Sequence, residues 1–241
     1  MLAEPGDDAA VWAAEGVQQR GVGPVRVVSG QELVAWTAWE HRLDQGGVRT
    51  RLRLPDGVEV QETQLRGVVN RLSGFYLPPA GVASSGDGDY AACERNALLL
   101  SWLVSLRCPV FNRPSPIGGL GGYRSLGGWR HLAHRAGLRL LPLIQSSDRP
   151  EEAGDGWGTG AGQHCTVFVV AGQVIADGDE QWDQATKAGC ARLAQLVGPG
   201  VLAVQFVCPG GQDPLFCWAT QQGDLRLGGS PLLDILASEL T

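Results

Sequence analysis

Several groups of residues in this chain have types and spacings that chemistry uses. Residues 118–124 read GGLGGYR, which invites comparison with a phosphate-cradling loop. The GxGxxG pattern fails there because Arg124 stands where the third glycine belongs. A flexible connector is the better reading, with anion binding through Arg113, Arg124 and the next helix's N-terminus as the other. His131 and His134 lie three residues apart on one helix face, a spacing that chelates metals when a third ligand is near; neither His41 nor His164 is adjacent in sequence, and surface histidines are the simpler reading. Asp177, Asp179, Glu180 and Asp183 form an acidic run after an apolar stretch but lack the continuation of a calcium loop. A solvated loop and helix start account for it. Glu94 is a candidate catalytic carboxylate, read more simply as a polar group at a sheet edge or a partner of Arg95 or Arg71. The six cysteines show no CxxC or other zinc spacing, and most sit in apolar runs as small hydrophobes.

The cations are 18 arginines and one lysine, Lys187. No GxxxxGK[ST] exists, so the P-loop reading is excluded, and Schiff-base chemistry has a single candidate. No GxSxG occurs. Net charge of −6 and a pI near 5.2 argue against a nucleic-acid partner. No apolar run reaches the roughly 20 residues of a membrane helix, and the start lacks a signal-peptide pattern, so no membrane association and a cytoplasmic location are expected. Eight tryptophans are more than one core of this size requires. Large amphipathic rings favour interfaces, which makes Trp157, in a polar glycine-rich loop, and Trp102, on the longest helix, candidate partner contacts.

The elements that must position these residues centre on 67–114. This stretch reads as a buried strand at 67–72, a helix at 89–106 with Ala92, Leu99, Trp102, Leu103 and Leu106 on its apolar stripe, and a strand at 109–112: a β-α-β unit. Before it come a helix at 7–20, a strand at 25–29, a second helix at 31–43, an alternating strand at 48–54 and a hairpin through Asp56-Gly57 into 58–61. A strand preceding the first helix is either cut short or absent. After it come a helix near 129–136 stopped by Gly137, a strand at 138–144 and a polar glycine-rich loop at 146–163. A hairpin at 165–176 turning at Gly172, a helix at 183–197, strands at 201–208 and 215–220 and a last helix at 231–240 complete the chain.

Four segments in this order carry a family likeness: Val68-Val69-Asn70-Arg71, YAACERNALLLSWLVSL, CPVFNRP and WRHLAHRAGLRLLP. The chain resembles ATP-grasp proteins, most of all the branch of ribosomal-peptide maturases and glutathione-synthetase-like ligases. The resemblance implies an α/β fold with a Rossmann-like pre-ATP-grasp domain at 1–113 and a reduced, shortened ATP-grasp-like α+β domain with an antiparallel sheet at 114–241. It also implies lysines on phosphate and acidic or amide metal ligands on the last two strands. Here those strands offer Gln205 where an aspartate belongs, and Cys217 and Ala219 where the "E-V-N" ligands belong. Leu126 stands where the first lysine is expected, with Arg124 and Arg130 the nearest cations. The resemblance thus implies a catalytically degenerate member without cofactor, acting as a binding or scaffold partner for a protein or peptide in peptide or natural-product biosynthesis, or as a homodimer. The alternative is a divergent ATP-dependent carboxylate–amine ligase with Arg113, Arg124 and Arg130 as nucleotide contacts, Arg149 as a further phosphate ligand, and magnesium on Asp177, Asp179 or Asp213.

Overall fold

The computed structural model describes residues 1–35, 38–45, 47–73, 86–115, 124–142, 163–176, 182–208 and 213–241. The chain divides into two compact units, Met1–Tyr123 with Leu233–Thr241, and Arg124–Leu232. Sequence alone suggested a break at 113/114; the division also returns the end of the last helix to the first unit.

In unit one, β1 (Leu2–Ala3) runs parallel to β2 (Val28–Ser29), and a bridge from Leu2 to Asn70 links it to β6 (Val68–Val69), itself parallel to β7 (Val110–Phe111). The first strand is therefore present but two residues long. Helix α1 (Asp8–Gln19) starts at Asp7, whose carboxylate accepts from Ala10 N–H, satisfying one of the amides a helix start leaves open. The second helix ends far sooner than expected. α2 (Gly30–Val34) is followed by β3 (Ala38–Asp44), paired antiparallel with β4 (Gly47–Arg53) from Ala38–Arg53 to Asp44–Gly47. Strand pairing outcompetes local helix preference here. The pairing also lets His41 bond Thr50 and, on the long helix, Ser101. β5 (Glu59–Gln61) completes this three-stranded sheet after the Asp56-Gly57 turn, with Gly57 at φ +85°.

α3 (Gly86–Ser105) buries Ala92, Leu99, Trp102, Leu103 and, just past its end, Leu106, as its periodicity predicts. Leu99, Trp102, Leu103 and Leu106 meet Leu2, Val28, Leu33, Leu52, Leu54, Leu72 and Val110 in one core cluster. Burial of roughly ten such side chains at about 1.5–3 kcal/mol each is the main force holding the unit against chain entropy.

In unit two the sheet order is β11-β10-β8-β9, all neighbours antiparallel: β8 (Gln163–Val170), β9 (Gln173–Ala176), β10 (Val201–Cys208) and β11 (Leu215–Thr220). Ala171 and Gly172, at φ 49° and 78°, make the two-residue hairpin turn that matches strand twist. Helices α4 (Leu126–Arg135) and α5 (Gln184–Val197) cover one face, placing Trp129, Ala133, Cys190 and Leu193 against Val167, Val169, Leu202, Val204, Phe206 and Phe216. α6 (Gly229–Glu239) closes the chain. Among the described residues, no helix is long and apolar enough to cross a membrane.

Candidate functional site

Of the described residues singled out by their chemistry, Arg113, Trp102 and Glu94 belong to unit one and Arg124, Arg130, His131 and His134 to unit two. Arg113 is committed to structure: its guanidinium donates to the carbonyls of Leu103, Val104 and Leu106, at 3.2, 2.6 and 3.2 Å. It thereby satisfies carbonyls left open where α3 ends and sets positive charge against the helix's negative pole. Trp102 is 4% exposed and meets Trp39 edge-on at 5.3 Å, so its ring belongs to the core rather than to a contact surface. Trp129 and Trp182 are buried too. Much of the tryptophan surplus is explained by two separate cores, each needing its own large rings. Trp157, the 118–123 glycine run, Arg149 and the acidic run at 177–180 lie outside the described residues. His131, His134 and Glu94 are exposed, and Arg71 pairs with Asp7 instead of Glu94. No cluster of three or more metal-ligating side chains occurs among the described residues.

Arg124 precedes the Ser125 cap of α4, and Arg130 lies on the second turn of that helix. Ser125 caps that helix by accepting from Gly128 N–H, and Arg124 stacks its guanidinium 5.2 Å over the Trp129 ring. Burial pushes the Arg124 pKa below its ordinary value. Arg130 is close enough to Cys217 for its charge to act on the thiol, opposing the upward push of burial. Arg130 therefore lies near β11, while Arg124 rests against Trp129 just before the helix start.

The residues standing where the resemblance implies metal ligands do not fit magnesium. On β10, Val204 and Phe206 face the helix-covered core, so alternation turns Gln205, half-buried, to the other face. Across the ladder Gln205 pairs with Trp218 and Phe206 with Phe216, leaving Cys217 as the extra residue of a β-bulge. Ala219 is 0% exposed within the core cluster. A neutral amide, a thiol pushed up by burial and a buried methyl do not make the set of oxygen ligands a hard cation demands. β10 and β11 carry no carboxylate, and the nearby Asp213 is ion-paired with Arg139.

Sequence reasoning missed two features of unit one. One is a cavity of about 730 Å³ lined by aliphatic residues that include Val17, Val25, Leu54, Val60 and Leu65, with Arg26 and Arg66 among the lining. Nothing in a single sequence marks it, since its walls come from five or more separated segments. The other is a polar clasp. Asn70 Nδ2 donates to the Asn112 carbonyl and Asn112 Nδ2 to the Asn70 carbonyl, both at 3.0 Å and both residues 0% exposed. Beside it, Arg71 donates to Asp7 through Nε and Nη2, at 2.7 and 3.2 Å, its side chain 5% exposed. Asn112 adopts φ 56°, the left-handed region that asparagine tolerates better than most residues. These are the "N-R" and "P-V-F-N" residues of the sequence likeness, and their work is structural.

No family model matches the chain, and no curated protein matches it. Solved structures do. The macrocyclase MdnB from Microcystis aeruginosa MRC superposes with a TM-score of 0.70 at 16% identity, over 99% of this chain and 97% of that one. The ATP-grasp ligase PsnB, complexed with a minimal precursor, gives 0.67 at 17% identity over 100% and 98%. A Chryseobacterium gregarium RiPP-associated ATP-grasp ligase, in complex with ADP and a leader and core peptide, gives 0.65 at 11% over 98% and 96%. PsnB has also been solved with a precursor, Mg and ADP.

Proposed function

Starting from this ATP-grasp fold, we propose that the chain is a catalytically degenerate member that binds a peptide or protein partner in a peptide-modifying pathway, without turning over ATP. The observation that carries the reading is the end of the last two strands: Gln205, Cys217 at a bulge and core-buried Ala219 occupy the expected ligand positions. The peptide side of the reading is supported by neighbours of the same fold that were solved with precursor, leader or core peptides. The partner is engaged by the chain alone or as a homodimer, in the cytoplasm.

The test is a peptide array presented to the folded chain with and without Mg·ATP. Saturable binding of the same peptides in both conditions is expected. Binding that requires Mg·ATP, or ATP hydrolysis that rises with peptide, overturns the reading.

One observation favours the alternative, an ATP-dependent carboxylate–amine ligase. Arg124 flanks the cap of α4 and Arg130 lies on its second turn, and guanidinium groups near a helix N-terminus suit phosphate. ATP turnover abolished by Arg130→Ala supports this alternative; a folded chain that binds no nucleotide ends it.

A further inference from the structure

Cys165 on β8 and Cys208 on β10 are free thiols whose sulfurs stand 2.7 Å apart, well inside ordinary sulfur–sulfur contact. In the ladder Cys165 lies opposite Phe206 and Cys208 opposite Gln163, so the two are diagonal neighbours on adjacent strands. Their side chains share the helix-covered face, where both pack at the margin of the core cluster. Strand twist shortens one of the two diagonals in an antiparallel pair, which is how side chains this short meet. Both residues are partly accessible rather than sealed in the core, unlike Cys190, which is 0% exposed.

We propose that Cys165 and Cys208 are a modification site: a dithiol that a hydroperoxide converts to a reversible disulfide tying β8 to β10. The sulfurs need to approach by about 0.65 Å to reach the roughly 2.05 Å of the bond.

The chemistry balances as follows. The thiolate of the first cysteine attacks a peroxide oxygen; the O–O bond breaks, hydroxide leaves, and the sulfur becomes a sulfenic acid. The second sulfur then attacks the sulfenic sulfur, the S–O bond breaks, and the departing hydroxide takes the thiol proton as water. Two electrons pass from the sulfurs to the peroxide, which ends as two oxygen-containing products at the water or alcohol level. Burial, together with the neighbouring Cys165 and Cys217, pushes the Cys208 thiol up to about 12, so the first attack falls to Cys165 and Cys208 resolves it. Cys217 is the third thiol of the neighbourhood, but its place at the bulge on β11 sets it apart from the β8–β10 diagonal. The bond would fasten the strand that presents Gln205, and a thiol reductant would release it.

The test uses the whole folded chain. Treatment with hydrogen peroxide, alkylation of remaining thiols and non-reducing peptide mapping should give a Cys165–Cys208 cross-linked peptide that dithiothreitol removes. In Cys165→Ser, Cys208 should stay alkylatable under the same dose; circular dichroism confirms that this variant is folded, and the wild-type map stands without it. A Cys208–Cys217 link, or oxidation of Cys165 to sulfinic or sulfonic acid while Cys208 stays a free thiol, overturns the proposal.

Discussion

Where β6 and β7 run side by side, two asparagines exchange hydrogen bonds with each other's backbone and an aspartate holds a buried arginine. At the end of β10 and β11 the comparable signature positions hold an amide, a bulged thiol and a core methyl. The first region serves the fold itself: it satisfies buried polar groups that would otherwise cost free energy. The second region serves a fold only if a ligand must be held. The proposed function rests on that contrast between an intact clasp and two last strands without a carboxylate.

The largest effect is expected at the clasp's ion pair. Asp7→Ala removes the partner of buried Arg71 and the cap of α1, and should destabilise by roughly 3–5 kcal/mol in urea unfolding. Arg71→Met in the same background should recover part of the loss, because it removes a buried charge that has lost its carboxylate. Recovery of nothing would mean the pair acts only through the cap.

Asn112→Ala should cost about 2–4 kcal/mol, combining a lost hydrogen bond to the Asn70 carbonyl with a left-handed φ that alanine resists. Asn112→Gly should cost less, since glycine accepts that φ. Equal losses would show that backbone strain contributes nothing.

On the other side of the comparison, restoring ligands should not restore a site. Ala219→Asn should destabilise by about 1–3 kcal/mol by forcing a polar group into the dry cluster, whereas Gln205→Asp should stay within about 1 kcal/mol. An Ala219→Asn variant as stable as the parent, or one that gains magnesium-dependent nucleotide binding, breaks the comparison.

The smallest effect concerns pH. Burial holds the His41 pKa below the ordinary 6.5, with Glu62 opposing. The folded state resists protonation, so below 6.5 the unfolded state binds more protons and stability falls as pH drops towards the folded pKa. His41→Gln should flatten that slope in melting scans between pH 7 and 5. An unchanged slope would place the titration elsewhere.

Much of unit two was legible from sequence because alternation and helical period agree with their tertiary use. Strands 201–208 and 215–220 stand where expected, and so do the Gly172 turn and α5 within a residue. Unit one was less legible. Leu33, Val34, Trp36 and Trp39 carry a helical spacing in the sequence, yet residues 38–44 became a strand because β4 supplied partners and His41 found Thr50 and Ser101. The site was half legible. Absent carboxylates on β10 and β11 can be read directly, but the bulge at Cys217 and the burial of Ala219 depend on strand register. Arg113 misled because a cation after a strand looks free to bind phosphate, while three carbonyls at the end of α3 already claim it.

The central claim is that this fold persists without its nucleotide chemistry. A thermal melt of the intact chain under rising Mg·ATP tests it most directly. A retained site at one hundred times its Kd would stabilise the folded state by about 2.7 kcal/mol and raise the melting temperature with dose. The account predicts an unchanged melting temperature across the titration; a saturable rise would contradict it.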